Sequence, residues 1–375
     1  MNKEKRKRVS VYLKAGELAA TPYYRFYQFF GQIDADFRYN LMISDRRWGS
    51  FFPIAKQPSW KKVLIFFYIY FRVLYHLIID TARCPDFVII SRCLINRVFP
   101  YSYRLLLKVI KHRKGCVVFD FDDEILSAGE ISRNGFDFLS GLSDVIVVGS
   151  PLLKEVVKEG EREKVHFLPT TDGDFRGLVT EEATALRIRS FDKEVRIVWV
   201  GTFSSLMFLR EVNESFERFG EYLASNGKNL ILSVVCDYPF DVCPSNYQLN
   251  NVKWSRQTAI NEMLCAHVGI MPLKDSKSAR GKCSFKLIQY LSAGLPIVGT
   301  SIGMNEMVLR DSVGVGLKSN DVDLWWDALL SVTSSKEHWQ NLSKNALFFW
   351  ESEFNYSNNL KWWKCLLEGP LALDA

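Results

Sequence analysis

With 375 residues, 48% of them hydrophobic and 24% charged, the chain is too long for one ordinary core, fits two domains of average size, and falls outside the disordered and fibrous classes. A formal net charge of +6 suits anionic small molecules or an acidic membrane surface, and is too dilute for a dedicated nucleic-acid binder. The eight cysteines form no CxxC pair and no Cys/His cluster of zinc spacing. No secretory apolar run follows the basic start, so they read as free thiols of a cytoplasmic protein.

Val9 to Leu13 reads as a first strand, and Thr21-Pro22 as the capped start of an aromatic helix through Phe30. A helix opening behind a strand places its first turns where α/β sheets bind ligands, so Arg25 is a candidate acceptor or phosphate contact; the alternative is a solvated arginine on a core helix. Lys61 to Asp80 is the most apolar window, nearly long enough to span a bilayer but interrupted by Arg72 and His76. Three readings compete for it: a helix buried beside the first sheet, a helix lying on a membrane surface, and a true span. Phe87 to Ile90 is a buried strand with Ser91-Arg92 at its ligand-facing end, which makes Arg92 a second candidate contact.

Cys116 to Phe119 is the next strand and runs into Asp120-Phe121-Asp122-Asp123-Glu124. Like charges gathered at a strand end raise one another's pKa, and such clusters are commonly functional. Asp120, Asp122 and Asp123 are therefore candidate catalytic groups. Two alternatives stand beside this: a D-x-D pair chelating a divalent ion, or one acid capping a helix while another pairs with a base. Val145 to Val148 is a strand, Ser150-Pro151 predicts a helix through Glu159, and Val165 to Leu168 closes the first half. From Thr170 to Lys193 the sequence turns polar and aperiodic, as a linker between domains would.

The second half restarts with the strand Arg196 to Val200, the turn Gly201-Thr202-Phe203-Ser204-Ser205, and a helix from Leu206 to Phe219. Leu230 to Cys236, a short edge at Val252 to Trp254 and a helix from Ala259 lead to Val268–Asn305, the most informative stretch of the chain. There two apolar strand runs, Val268 to Met271 and Ile297 to Thr300, flank a basic loop carrying Lys274, Lys277, Arg280 and Lys282. A helix with Phe285, Ile288, Leu291 and Ser292 on one face follows the loop and is stopped by Gly294 and Pro296. Backbone amides, the positive end of the helix dipole and lysine charges converge in such a unit on a phosphate. It is not a Walker A loop, because Cys283 follows Gly281-Lys282.

These residues resemble the donor-binding segment of GT-B glycosyltransferases, specifically the retaining GT4-like group of bacterial surface-polysaccharide enzymes. The resemblance is carried by VGIMPL, RGKCSFKLIQYLSAGLPIVGT and GMNE, and extends to VVFDFDDEI, DVIVVGSPLL and RIVWVGTFSS. It implies an α/β GT-B fold of two Rossmann-like doubly wound domains facing across a cleft, with a last helix at about 357–368 returning to the first. Residues 1–177 would bind the acceptor and 178–375 the nucleotide sugar, joined by a linker at about 170–193.

The implied reaction moves a sugar, with retention, from a nucleoside-diphosphate sugar to a hydroxyl of a glycan or lipid-linked saccharide, on or near the cytoplasmic face of the membrane. Arg280, Lys282, Lys286, Gly201, Ser204, Gln289 and Asn305 would hold the donor, Arg25 and Arg92 the acceptor, and Asp122, Asp123 and Asp120 the chemistry. Lysines and a helix terminus neutralise the leaving diphosphate in this scheme, so no metal or other cofactor is expected. Gln289 stands where the family's E-x7-E pattern has its second glutamate, and Gly281 where it has the first. Two alternatives remain: a non-catalytic nucleotide-sugar-binding or scaffold subunit, and a nucleotide-sugar epimerase on the same architecture.

Overall fold

The computed structural model describes residues 6–51, 54 and 57–369. The chain divides into two compact units, Met1–Thr170 with Ser357–Ala375, and Thr171–Tyr356. Each is built on one six-stranded sheet in which every described pairing is parallel. Parallel strands require crossovers, which place helices on both faces and bury the central strands; this is why those strands read as unbroken apolar runs.

In the first unit β1 (Lys7–Leu13) leads through α1 (Ala20–Pro22), a π-helical turn Tyr23–Tyr27 and α2 (Gln28–Phe30) to β2 (Ala35–Leu41). Then come α3 (Asp45–Phe51), α4 (Ser59–Arg83), β3 (Phe87–Ser91), α5 (Tyr101–His112), β4 (Cys116–Phe121), α6 (Arg133–Leu142) and β5 (Val145–Val148), before 3-10 turns at Pro151–Val156 and Glu159–Lys164 and the edge strand β6 (Val165–Phe167). The sheet order is β2-β1-β3-β4-β5-β6, so the chain reverses direction across the sheet between β1 and β3.

Helix α4 is the apolar window. Its inner face, Ile65, Ile69, Val73 and Leu77, belongs to the core of this unit. Asp80, fully buried near its end, accepts hydrogen bonds from Ser10 Oγ (2.9 Å), Tyr12 OH (2.7 Å), Asn40 Nδ2 (3.3 Å) and Arg38 Nη1 (3.3 Å). Arg72 donates to the Leu41 carbonyl, and Arg38 meets His76 at 3.1 Å. These polar bonds tie one face of the helix to the sheet, while by length and composition the helix is also long and apolar enough to cross a membrane. The helix ends at Cys84, which takes the left-handed conformation (φ 49°) before Pro85.

The second unit opens with α7 (Glu181–Ser190) and β7 (Glu194–Val200), followed by α8 (Leu206–Glu211), α9 (Asn213–Ser225), β8 (Asn229–Cys236), β9 (Gln248–Lys253) and α10 (Arg256–Cys265). After β10 (Val268–Met271) come α11 (Lys277–Arg280), α12 (Phe285–Ser292), β11 (Ile297–Thr300), α13 (Asn305–Val308), β12 (Gly314–Leu317), α14 (Val322–Val332) and α15 (Lys336–Glu353). The order β12-β11-β10-β7-β8-β9 puts the reversal between β7 and β10. Trp199, Trp325, Leu209 and Phe216 lie in the core formed by these layers. The last helix, α16 (Tyr356–Glu368), belongs almost entirely to the first unit. Trp363 packs on the rings of Phe26 and Phe30, Glu368 accepts the Asp34 amide, and Asn359 donates to the Pro169 carbonyl.

Several local expectations are corrected. Ala19, not Thr21, is the first N-cap, because the helix begins two residues earlier. The stretch read as an aperiodic linker holds α7, capped by the Thr180 hydroxyl; its buried side includes Arg187, whose Nη1 donates to Ala293 O at 3.0 Å, so hydrophobic periodicity could not reveal it. The helix expected from Leu206 to Phe219 is broken at Val212, and Ser150-Pro151 opens 3-10 turns instead of an α-helix. Strand β2 carries partly exposed polar residues and gave no apolar run to read.

Candidate functional site

Ligands of open α/β sheets bind outside the carboxyl ends of strands where the strand order reverses. In the second unit that place is made by the loops after β7 and β10. Gly201 follows β7, and its amide donates to Val235 O at 3.1 Å. A Cβ there would overlap the indole of Trp199 and lie 2.9 Å from Lys286 Nζ, so a side chain at this turn would force both to shift. Thr202 Oγ1 and Ser204 Oγ are 3.1 Å apart, and Ser204 is exposed on the turn that starts α8. Phe203 and Tyr238, at the end of β8, stack obliquely with ring centres 4.8 Å apart.

Lys286, the second residue of α12, extends back to this loop, with its ammonium 5.0 Å from the centre of the Trp199 ring. The structure thus brings together Gly201 and Lys286, predicted separately from two motifs 85 residues apart, and adds Trp199, which sequence reasoning had placed only as a strand residue. The start of α12 is shaped by Ser284, whose φ of 53° turns the chain sharply. The Ser284 hydroxyl does not cap the helix but donates to Asn305 Oδ1 at 2.6 Å, and Asn305 Nδ2 donates to Thr300 O at 2.9 Å. Asn305, expected to touch the donor, is buried and braces the loop through these two bonds.

Arg280 is exposed and makes two hydrogen bonds to Asp275 (2.8 and 2.7 Å). Lys282 is half-buried between α11 and α12. Gln289 is buried, and its Nε2 donates to Asp172 Oδ2 at 2.6 Å. Burial pushes the Asp172 carboxyl up to about 7, Asp174 adds to the rise, and hydrogen bonds from the Asp174 amide and Gln289 oppose it. Sequence reasoning missed Asp172. It lies in the turn Asp172-Gly173-Asp174, a common loop pattern with nothing to mark it as buried.

In the first unit the reversal falls between β1 and β3. Arg92, in the left-handed conformation (φ 63°), emerges from β3 and binds Asp122 Oδ1 at 3.0 Å, Asp123 Oδ2 at 3.4 Å and Glu130 Oε1 at 2.9 Å. Burial alone would lower its pKa, and the three carboxylates outweigh that and hold the guanidinium above its ordinary value. Thr21 Oγ1 donates to Asp122 Oδ2 at 3.2 Å. Gly149 is required beside it, since a Cβ would come within 2.7 Å of Asp122 Cα.

Asp120 is fully buried and is held by Arg25 through Nε and Nη2; Arg25 Nη1 also reaches Leu168 O. Burial raises the Asp120 pKa, and the Arg25 charge opposes the rise. Glu124 accepts the Leu126 and Ser127 amides and so serves as a turn cap. Residues predicted as two separate sets, acids for chemistry and arginines for acceptor, are therefore joined, Arg25 to Asp120 and Arg92 to both Asp122 and Asp123. Asp123 keeps the most exposed carboxylate, 34% open, against 6% for Asp122 and none for Asp120. Among the described residues no group of three or more His, Cys, Asp or Glu converges on a metal-sized site.

No protein-family model and no curated protein sequence matches the chain. Solved structures do. Anabaena HepE in complex with UDP-glucose matches with a TM-score of 0.63 at 9% identity, over 96% of this chain and 99% of that one. Sucrose-phosphate synthase from Thermosynechococcus elongatus gives 0.61 at 10% identity, over 97% and 98%. A Listeria monocytogenes protein described as a UDP-N-acetylglucosamine 2-epimerase gives 0.52 at 10% identity, over 94% and 97%. At such identities the likeness establishes the fold: two Rossmann-like six-stranded units of the GT-B type, as the sequence resemblance implied.

Proposed function

We propose that this chain is a retaining, GT4-like hexosyltransferase that moves a sugar from a nucleoside-diphosphate sugar to a hydroxyl of a glycan or lipid-linked saccharide in surface-polysaccharide synthesis, working in the cytoplasm at the membrane face. The observation that carries the reading is the convergence of Gly201, Lys286 and the start of α12 at the strand reversal of the second unit. The glycine lets backbone approach a diphosphate, and Lys286, Lys282 and the helix dipole meet its charge. That charge grows as the glycosidic bond breaks, so these groups stabilise the transition state more than the bound donor. A required metal has no part in this scheme. In the first unit Asp123, with Asp122 fixed by Arg92, would orient or deprotonate the acceptor hydroxyl. Asp120, Arg25 and Asn305 brace the structure around these groups.

The test is a thermal-shift panel of UDP, GDP, CDP, dTDP and ADP, repeated on Lys286→Ala. One nucleotide raises the Tm of the wild type. Removing a charge-assisted contact worth about 1.5–3 kcal/mol weakens that nucleotide roughly 10- to 150-fold in the variant. Undiminished affinity in Lys286→Ala would remove the phosphate assignment. The epimerase reading draws on the likeness to the Listeria protein and needs no acceptor; incubation with the stabilising nucleotide's sugar conjugates, with and without saccharide acceptors, separates the two, because an epimerase yields an isomerised nucleotide sugar, whereas a transferase passes the sugar to an acceptor hydroxyl or to water and releases the nucleoside diphosphate. Binding with neither product would leave a non-catalytic sugar-nucleotide subunit.

A further inference from the structure

Helix α4 carries apolar residues on its exposed face as well as on its buried one. While Ile65, Ile69, Val73 and Leu77 lie in the core, the opposite side presents Trp60, Leu64, Phe67, Phe71, Tyr75 and Ile78 to solvent. Their spacing of four, three, four, four and three residues is one straight stripe at 3.6 residues per turn. Trp60 is 66% exposed, Phe71 60% and Tyr75 61%. Helix α5 packs beside α4, with the Tyr103 hydroxyl donating to the Tyr70 carbonyl at 2.8 Å, and adds Tyr101 (79% exposed) and Leu105 to the same surface. Single exposed apolar side chains need no explanation; a stripe the length of a 25-residue helix, about 37 Å, does.

Charge selects what covers it. From Ser59 to His112 the sequence holds nine Lys and Arg but only two acids, Asp80 and Asp86. Asp80 is fully buried and Asp86 accepts the Arg8 amide on the sheet side, so α4 and α5 expose no carboxylate. Lys62 and Lys108 are exposed on these two helices, while half-buried Lys61 donates to Ser50 O and half-buried Arg104 lies over the rings of Phe99 and Phe138. Aromatic and aliphatic side chains bordered by cations match the boundary of an anionic bilayer, where aromatic rings sit at headgroup depth and lysines meet lipid phosphates. The Asp80 and Arg72 anchors fix how deep the helix can go, since they hold its other face on the sheet.

We propose that the α4–α5 face is a docking surface for an anionic lipid bilayer, with Trp60, Leu64, Phe67, Phe71, Tyr75 and Tyr101 entering the interface and the helix lying in its plane. The inference deepens the lipid-linked-acceptor part of the proposed function but stands on this surface alone.

The experiment is sedimentation of the full chain with vesicles of phosphatidylcholine alone or with 30% phosphatidylglycerol, at low salt and at 0.5 M NaCl, alongside Phe67→Glu/Phe71→Glu and Lys61→Glu/Lys62→Glu. The expected result is binding to the anionic vesicles, weakened at high salt, at least tenfold weaker in either double variant, with the variants' Tm and their nucleotide thermal shift unchanged. Because nucleotide binding is read separately, the membrane proposal can fail while the donor assignment stands, and the reverse. No binding to anionic vesicles overturns the proposal, as does binding that the Phe67→Glu/Phe71→Glu variant retains. It is also overturned if the wild type is a dimer in solution that Phe67→Glu/Phe71→Glu converts to monomer without any vesicle binding, since the face would then join two copies of the chain.

Discussion

Gln289→Glu introduces the second glutamate that the sequence resemblance implies for this position, and the structure predicts that it harms this protein. Wild-type Gln289 donates to Asp172 Oδ2 at 2.6 Å. A glutamate there offers only acceptors, so two buried carboxylates would share one contact. Asp172 already costs stability. Its folded-state pKa of about 7 lies about three pH units above the ordinary carboxylate value. A raised folded pKa means the proton stabilises the fold below the unfolded pKa, and that contribution is lost as pH rises from about 4 to about 7, roughly 4 kcal/mol in all.

The variant removes the opposing hydrogen bond and adds a second charge. Two charges about 4 Å apart repel by about 4 kcal/mol at an effective dielectric of 20. At pH 5 the pair holds a shared proton, and the penalty relative to wild type is small. At pH 8 the full repulsion or the cost of retaining the proton appears. For a unit of this size about 4 kcal/mol corresponds to a Tm loss near 10 °C. The assay is Tm by circular dichroism from pH 5 to pH 8 for both proteins. A Tm difference that stays flat with pH, or shrinks toward pH 8, would refute the reasoning. Asp172→Asn/Gln289→Glu, which makes the pair compatible again, is expected to recover most of the loss.

Arg25→Met strands Asp120 in the core and is expected to cost about 3–5 kcal/mol, more at high pH because the lone carboxyl then binds its proton more tightly folded than unfolded. Adding Asp120→Leu should recover most of this in a denaturation midpoint; no recovery would mean that the pair is not the cause. Asp80→Ala leaves the Ser10, Tyr12 and Asn40 donors buried, at about 1–3 kcal/mol each. Hydrogen exchange should show α4 losing protection before the β7–β10 sheet, and equal loss in both would contradict the anchoring role. Gly201→Ala drives a methyl into Trp199 and displaces Lys286, so strain of about 1–3 kcal/mol and weaker nucleotide binding are expected together. Unchanged Tm and affinity would show that the loop has room.

Much of the architecture was legible in the chain because buried parallel strands announce themselves locally. Val145–Val148 and Val268–Met271 are continuous apolar runs, and Gly294 with Pro296 marks the end of α12 without reference to any partner. The basic loop and the helix that opens behind it were legible for the same reason: the cations, the turn and the helix are contiguous. Local pattern failed where burial was mixed. Strand β2 is half polar, and α7 buries an arginine, so neither shows a clean period.

The side-chain alliances lay beyond the sequence altogether. Arg25 meets Asp120 across 95 residues and Gln289 meets Asp172 across 117, and no spacing rule reaches that far. Sequence determined that the first unit holds acids and arginines at its strand ends. Only the tertiary structure decided that Arg25 neutralises Asp120, that Arg92 gathers Asp122, Asp123 and Glu130, and that Asp123 remains the most open carboxylate of the cluster. The same holds for α4, whose composition allowed burial, surface or span. The Asp80 and Arg72 bonds chose which face turns inward, because a buried charge must find its partners, and those partners lie on the sheet.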